Sequence, residues 1–224
     1  MPFVNRSDAG RRLAHALMQY RADQPVVLAL PRGGVPVAAE VAAALDAPLD
    51  VLLVRKIGVP MQPELAMGAV TDGDAPLIVR NQDVIDLAGV SEDEFAAVMR
   101  REVAEIERRR RIYVGERPMI AVAGRTVIVV DDGIATGATT RAGLQALRTR
   151  KPKKLVLATP VAPTQTLAEL RRDADDIVCL EAHEIFSSIG SFYDDFRQIS
   201  DREVNDSLDR FHATHSAAPK SSAD

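Results

Sequence analysis

Short apolar runs alternate with stretches of helical periodicity along the first 180 residues of the chain. The runs lie at about residues 25–30, 49–54, 127–130, 155–158 and 177–180. Because these runs carry few polar positions, each predicts a strand buried on both faces, as in a parallel sheet. The periodic stretches predict helices at about 7–21, 35–45, 91–113, 140–150 and 163–173. The alternation predicts an α/β fold: a doubly wound, mainly parallel sheet of about five strands with helices on both faces.

Two segments depart from this pattern. Residues 57–80 are weakly patterned and contain six Gly or Pro residues. Long irregular segments in compact domains are commonly functional or mobile, so we predict a flexible loop here, folded partly as a hairpin around Asp72-Gly73-Asp74. From His212 onward the residues are small and polar without an apolar period. This predicts one domain over residues 1–211 and a disordered tail over 212–224.

Composition narrows the class of protein. The chain has 224 residues, 46% hydrophobic and 27% charged, which excludes a globally disordered, collagen-like or disulfide-scaffold protein. Its net charge of −4 gives no sign of a nucleic-acid partner. A lone cysteine, Cys179, cannot form an internal disulfide and suits a reducing compartment. With no apolar run near the ~18 residues of a membrane span and no signal-peptide pattern, we expect a cytoplasmic protein without a membrane partner.

The stretch from Thr126 to Gly143 carries the most chemical information. A predicted strand delivers the adjacent acids Asp131 and Asp132 to its carboxyl end, where open α/β sheets bind ligands. A loop rich in Gly and Thr then enters a helix, and such a loop predicts a phosphate cradle. The two acids suit vicinal hydroxyls or a hydrated Mg²⁺ instead. An ordinary strand–turn–helix is the alternative, but it needs only one N-cap.

Two common nucleotide motifs do not fit this stretch. A Walker A loop requires Lys where Ala138 stands, and no Gly-x-Gly-x-x-Gly follows the first strand. The pattern instead describes a sugar that carries hydroxyls beside a monophosphate, such as ribose 5-phosphate.

Residues 127–140 resemble the phosphoribosyl-pyrophosphate (PRPP) binding motif of type I phosphoribosyltransferases, and the resemblance covers a core of about residues 25–181. Leu30-Pro31-Arg32-Gly33-Gly34 resembles the diphosphate loop of that family, which holds a non-prolyl cis peptide, here expected near Arg32. A plain Gly-Gly helix entry is the alternative. Arg55-Lys56 resembles the basic pair before the family's mobile catalytic loop, with plain surface charge as the alternative. The resemblance implies PRPP binding by Arg32, Gly33, Gly34, Arg55, Lys56, Asp131, Asp132, Gly133, Ala135, Thr136, Gly137, Ala138, Thr139 and Thr140.

By this resemblance, a nucleophilic nitrogen attacks C1 of PRPP and releases pyrophosphate. Arg32 and Lys56 would stabilise the diphosphate, Asp131 and Asp132 would hold the ribose hydroxyls, and the loop over 57–80 would close above the site. The implied cofactor is Mg²⁺, held mainly by PRPP, with a contact through water to Asp131 or Asp132. Enzymes of the family that act on 6-oxopurines carry an Asp where Ala135 stands, which disfavours those bases.

The acceptor in this family binds under a variable hood, for which we predict segments of about 1–6 and 182–211. Four of the nine aromatic residues lie between 186 and 196. An aromatic ring there would stack on a flat heterocycle, and an Asp would accept its N–H groups. The alternative is that these rings pack the segment onto the core. The candidate acceptor residues are Phe186, Ile189, Phe192, Tyr193 and Asp194.

Other readings of the chain remain open. A PRPP- or nucleotide-sensing regulator on the same fold and a plain sugar-phosphate-binding module are the alternatives to an enzyme. The inserted helix at 91–113 is basic at Arg108–Arg111, but Glu→Arg pairs at i,i+4 spacing predict a self-paired solvated face. That helix could instead form a subunit interface, and we expect a homo-oligomer, a dimer.

Overall fold

The computed structural model describes residues 2–72 and 76–216. The strands are β1 Val26–Ala29, β2 Leu49–Val51, β3 Val54–Val59, β4 Gln62–Thr71, β5 Leu77–Arg80, β6 Thr126–Val130, β7 Lys154–Pro163 and β8 Asp176–His183. The helices are α1 Arg6–Leu17, α2 Gly34–Leu45, α3 Gln82–Ala88, α4 Glu92–Tyr113, α5 Ala138–Thr149, α6 Thr164–Leu170 and α7 Asp201–Ser216. Short 3₁₀ turns cover Met18–Asp23 and Ile189–Phe192.

Five parallel strands form the central sheet in the order β2-β1-β6-β7-β8. The chain runs outward from β1 to β2, then returns to the other side of β1 and continues outward through β6, β7 and β8. The direction of winding therefore reverses between β1 and β6, where open α/β sheets bind ligands. The predicted doubly wound α/β fold is confirmed.

Alternate residues of each central strand point to opposite faces of the sheet. Val27 and Ala29 pack into the core that α1, α2, α4 and α7 cover, whereas Val26 and Leu28 pack beneath α5 and α6. Burial on both faces explains why the strands read as uninterrupted apolar runs. Within the described ranges, no helix combines the length and apolarity needed to cross a lipid bilayer.

Residues 49–80 differ from the prediction. The strand expected over 49–54 ends at Val51, and the chain then leaves the parallel sheet to begin β3 at Val54. Residues 57–80 are not mainly a loop, because β3, β4 and β5 form a separate three-stranded antiparallel sheet. The predicted hairpin corresponds to the β4–β5 pair, while Gly73 and Asp74 lie outside the described residues. The sheet was hard to foresee because Gly and Pro interrupt its apolar pattern.

The C-terminal region also differs. Helix α7 was not predicted, and it contains the first residues of the expected tail, His212–Ser216; residues 217–224 lie outside the described residues. Two signals could have found it: the side chains of Ser200 and Glu203 bond each other's backbone N–H groups in a capping box, and Val204, Leu208 and Phe211 are buried on one face.

Asp72 ties the antiparallel sheet to the rest of the molecule. Its carboxylate accepts the Leu53 backbone N–H at 3.1 Å and pairs with Arg110 of α4 at 2.9 Å. Arg150, at the end of α5, donates to the Asp72 carbonyl oxygen. Burial raises the pKa of Asp72 to about 6, although the Leu53 bond and the two arginines lower it.

The raised pKa predicts a pH-dependent stability difference between the wild type and Asp72→Asn. Because the folded state binds this proton more tightly than the unfolded chain, the wild type gains stability relative to Asp72→Asn as pH falls from 7 to 4. Urea denaturation of both proteins at several pH values measures the trend. Asp175, whose pKa is lowered chiefly by its bonds to Arg148, provides an opposite-sign control: wild type should lose stability relative to Asp175→Asn as the pH falls below about 4. A pH-independent difference for Asp72→Asn would contradict the assignment.

Candidate functional site

Two loops meet at the carboxyl end of β1 and β6. Since Ala29 pairs with Val130 in the sheet, the loop after each strand begins beside the other. A Cβ atom at Gly33 would lie 1.9 Å from Oδ2 of Asp132, and one at Gly34 would lie 2.7 Å from the carbonyl oxygen of Val130. Only glycine permits this approach of the two loops. The Pro31–Arg32 peptide is cis, as the resemblance implied.

Both loops lead into helices whose N-termini lack a side-chain cap. Gly33 precedes α2 and Gly137 precedes α5, and neither position can supply a capping oxygen. By contrast, α1, α3 and α4 are capped by Asn5, Asn81 and Ser91. At the start of α5 the first N–H groups are therefore available to an anion. In α2, by contrast, Gly34 and Val35 donate their N–H groups to the carbonyl oxygens of Leu30 and Arg32, so that helix contributes the positive end of its dipole.

Hydrogen bonds to β7 and α6 anchor the loop between β6 and α5. Ile134 donates its backbone N–H to the carbonyl oxygen of Val161 at 2.9 Å, and the Thr166 hydroxyl donates to the carbonyl of Ala135 at 2.9 Å. Thr136 and Thr139 are exposed at the surface of the loop. Of the other predicted phosphate-binding positions, Ala135 and Ala138 are also exposed, whereas Gly133, Gly137 and Thr140 are buried.

The two acids occupy different environments. Asp132 is buried and its Oδ2 accepts from Nε of Arg6 at 2.6 Å. Asp131 accepts the backbone N–H of Asp132 at 2.9 Å. Desolvation and the neighbouring Asp132 charge raise the pKa of Asp131 well above its usual range, and Arg6 partly offsets this. Arg6 lies in the predicted hood segment of about 1–6, but its contact with Asp132 was not predicted, because a partner 126 positions away leaves no local pattern.

Arg32, the predicted diphosphate ligand, is half-exposed at the mouth of the crevice. Its Nη1 lies 3.8 Å from Oδ1 of Asp201, the first residue of α7. The same oxygen accepts the Tyr113 hydroxyl at 2.5 Å. The unforeseen helix α7 thus supplies the counter-ion of Arg32.

Arg55 and Lys56 have different partners. Arg55 donates through Nε to Glu102 of α4 at 2.8 Å, and Lys56 contacts the exposed carboxylate of Glu64 at 3.1 Å. Arg55 also borders a small cavity of about 20 Å³ between the two loops and α4. The cavity is lined by Leu30, Pro31, Leu52, Leu53, Val54, Arg55, Ile106, Arg109 and Thr139. Arg109, which pairs with Glu105 at 2.7 Å as the helix pattern predicted, is a cation at the site that sequence reasoning missed.

The predicted hood segments do meet. The backbone N–H of Phe3 donates to Phe192 at 2.8 Å, and the N–H of Asp194 donates to Phe3 at 2.8 Å. Ile189 lies directly over the phosphate loop, since a Cβ atom at Gly133 would be 2.3 Å from its Cγ2. These contacts place the aromatic segment beside residues 127–140, the stretch that resembles the PRPP-binding motif.

The aromatic rings of this segment are not equivalent. The half-buried rings of Phe186 and Phe192 stack with centroids 5.2 Å apart. Tyr193 is only 6% exposed, packs against the rings of Phe3 and Phe196, and donates its hydroxyl to the carbonyl oxygen of Asp132 at 2.5 Å. Tyr193 therefore presents no open ring face in this conformation.

The acidic side chains do not form a self-sufficient metal site. Among the described residues, no group of three or more His, Cys, Asp or Glu side chains is placed to hold a metal ion. A Mg²⁺ ion commonly binds through one or two carboxylates together with substrate phosphates. The Asp131–Asp132 pair fits that donor set.

Comparisons with known proteins agree with this geometry. The sequence model of the phosphoribosyl transferase domain matches residues 5–197. The "Putative phosphoribosyl transferase MT0597" of Mycobacterium tuberculosis (strain CDC 1551 / Oshkosh) and "Putative phosphoribosyl transferase Rv0571c" of strain ATCC 25618 / H37Rv are each 47% identical over 210 residues. The match covers 94% of this chain and 47% of each relative, so the chain spans about half their length.

Two solved structures resemble the protein. TT1426 from Thermus thermophilus is 37% identical, with a TM-score of 0.79 over 94% of this chain and 99% of that one. The AQ2163 protein from Aquifex aeolicus is 12% identical, with a TM-score of 0.51 over 91% of this chain and 84% of that one, which indicates a shared fold. Because the family model matches residues 5–197, most of its length, the chain belongs to the phosphoribosyl transferase domain family.

Proposed function

We propose that this protein transfers the 5-phosphoribosyl group of PRPP to a nucleobase or related heterocycle in a Mg²⁺-dependent reaction. The observation that carries the proposal is the junction at the point where the sheet reverses its winding, where an acid pair lies between two helix N-termini that lack side-chain caps. One molecule that needs both features is a sugar with hydroxyls between a monophosphate and a diphosphate.

Different residues of the site would bind different parts of the substrate. The loop from Gly133 to Thr139 would bind the 5-phosphate through its N–H and hydroxyl groups, and the acid pair would accept from the ribose hydroxyls. Arg32 and Lys56 would hold the diphosphate after exchanging their present partners, Asp201 and Glu64. Bound mainly by the phosphates, Mg²⁺ would supply positive charge against the diphosphate oxygens.

The reaction would proceed by displacement at C1. The lone pair of the acceptor nitrogen forms the new bond to C1, and the bond from C1 to the diphosphate oxygen breaks with its electrons leaving on pyrophosphate. The proton of the acceptor N–H is released to solvent. Arg32 and Lys56 stabilise that leaving charge, while the negative charge of the acid pair favours positive charge building on the sugar. The antiparallel sheet that carries Lys56 would exclude water from the sugar while it carries positive charge.

The acceptor would lie between the phosphate loop and the aromatic segment. Phe186 and Phe192 offer ring surface, Ile189 an apolar contact and Asp194 an exposed carboxylate. Ala135 has no acid to contact a 6-oxopurine, so we propose another heterocycle as the acceptor. A cytoplasmic location and a homodimeric state remain predictions.

The direct test is incubation of the protein with PRPP, Mg²⁺ and a panel of heterocyclic bases, with pyrophosphate release as the readout. We expect release that depends on one base or a few related bases. Calorimetric binding of PRPP without turnover across the panel would instead support a PRPP-sensing regulator. Absence of PRPP binding would overturn the proposal.

Phe186→Leu and Phe192→Leu are each expected to raise the KM for the acceptor about 10-fold, because stacking on an aromatic ring contributes about 1–3 kcal/mol per base. The affinity for PRPP, measured by calorimetry on the same variants, should remain at the wild-type value and serves as an internal control. An unchanged acceptor KM in both variants would show that these rings only pack against each other.

A further inference from the structure

Arg6 joins the acid pair to the chain segments on the acceptor side of the site. Its side chain is only 9% exposed and has three partners. Nε donates to Oδ2 of Asp132 at 2.6 Å, Nη1 donates to the carbonyl oxygen of Arg197 at 2.9 Å, and the guanidinium carbon lies 4.0 Å from the centre of the Phe196 ring. One cation therefore holds the sheet edge and the segment from Tyr193 to Arg197 together.

We propose that Arg6 is a positioning residue that fixes the Asp132 carboxylate for sugar binding and makes its orientation depend on the docking of residues 193–197. The inference rests on the proposed function for its sugar-binding part. The coupling itself concerns only contacts within this chain.

The Asp132 carboxylate is confined on several sides. Oδ2 is bonded to Arg6, and the backbone of Gly33 leaves no room for even a methyl group beside it. The carbonyl oxygen of the same residue accepts the hydroxyl of Tyr193. With Oδ2 engaged, Oδ1 is the oxygen left to accept from a ribose hydroxyl.

Loss of Arg6 would leave this carboxylate buried beside a second acid. Asp131 and Asp132 are adjacent and poorly solvated, so their mutual repulsion has no other nearby cation among the ion pairs of the described residues to offset it. A change in the Asp132 side-chain orientation would then reduce this repulsion most simply. Because Arg6 also bonds Arg197, the disturbance would reach the acceptor side as well.

The geometry distinguishes Arg from Lys at this position. A guanidinium reaches Asp132 with Nε, Arg197 with Nη1 and the Phe196 ring with its flat face at once. A Lys ammonium is a single point charge and can keep the carboxylate partner but not all three contacts. Arg6→Lys therefore retains the charge while weakening the link between the two sides.

The experiment compares Arg6→Gln and Arg6→Lys with Arg12→Gln. Arg12 lies on the same helix, pairs with Asp8 at 2.8 Å and has its guanidinium 5.1 Å from the Phe3 ring centre, but it does not contact the acid pair. Hydrogen exchange of the ligand-free proteins is measured at residues 131–134 and 193–197. The PRPP affinity, the KM and the kcat of each variant are then measured.

We expect Arg6→Gln to raise exchange at least 10-fold in both segments and to weaken PRPP binding at least 10-fold. Arg6→Lys should fold with a smaller loss of melting temperature than Arg6→Gln and raise the KM for PRPP and for the acceptor together, with a smaller change in kcat. Arg12→Gln should match the wild type in all of these measurements.

Faster exchange confined to residues 193–197, with wild-type PRPP affinity, would overturn the proposal, because Arg6 would then only anchor the terminal segment. If Arg6→Gln does not fold, the same comparison made with Arg6→Lys decides the question. If the wild type does not bind PRPP, the proposed function fails, while exchange at residues 131–134 still decides whether Arg6 controls Asp132.

Discussion

Asp131→Asn is expected to lower the rate of pyrophosphate release from PRPP by about 100-fold or more while leaving the protein at least as stable as the wild type. The rate falls because an amide offers one acceptor in place of a carboxylate and removes negative charge beside a sugar that becomes cationic. The stability is kept because burial and the Asp132 charge already disfavour an ionised Asp131, as its raised pKa shows. Initial rates and thermal melting of the same preparation measure both effects.

The exposed carboxylate of Asp209 provides a matched control. Asp209 lies on α7 and pairs loosely with Arg117 at 3.5 Å, so Asp209→Asn makes the same chemical change at a surface position. Its rate should equal that of the wild type. If Asp131→Asn combined with Asp132→Asn retained wild-type activity, the acid pair would have no role in the reaction and the proposed site would be wrong.

Gly33→Ala is expected to abolish measurable PRPP binding and to lower the free energy of unfolding by about 1–3 kcal/mol, the usual range for overpacking. The new methyl group would lie 1.9 Å from Oδ2 of Asp132. That oxygen cannot swing aside at low cost, because it is buried and bonded to Arg6 at 2.6 Å. The two phosphate loops must therefore separate, which breaks the site. Calorimetry and urea denaturation test the two effects.

Gly124→Ala separates stability from binding. Gly124 has φ +71° with nothing within 4 Å of the position that a methyl group would occupy, so alanine there costs about 1–2 kcal/mol of backbone strain without a clash. This variant should be destabilised but should bind PRPP like the wild type. Wild-type PRPP binding by Gly33→Ala would contradict the close approach of the two loops.

Several features of the fold could be predicted because their signals are local. The five central strands are runs of consecutive apolar residues, and the Ser91–Glu94 capping box correctly marks the start of α4. The antiparallel sheet at 54–80 was predicted only as a hairpin within a loop, because its stability depends on pairing between strands and its Gly and Pro residues conceal the alternation. Helix α7 was missed although its apolar spacing is visible in the sequence.

The features of the site also divide into those with a local sequence signal and those without one. The diphosphate loop and the acid pair with its phosphate loop are each continuous in the sequence, so their composition alone indicates phosphate and sugar chemistry. The partners of these residues are not continuous with them. Arg6, Asp201 and Arg109 reach the site from three helices, and no spacing rule relates them to the loops they contact.

The sequence by itself determined the α/β class and the composition of the two loops that we propose bind the ligand, because hydrophobic burial and backbone freedom act on neighbouring residues. Only the tertiary structure decided the state of each charge in the site. Asp132 pairs with a residue 126 positions away and accepts through its carbonyl from Tyr193, 61 positions away. Such contacts depend on how helices pack on the sheet, and burial then makes each charge depend on the partner that packing supplies.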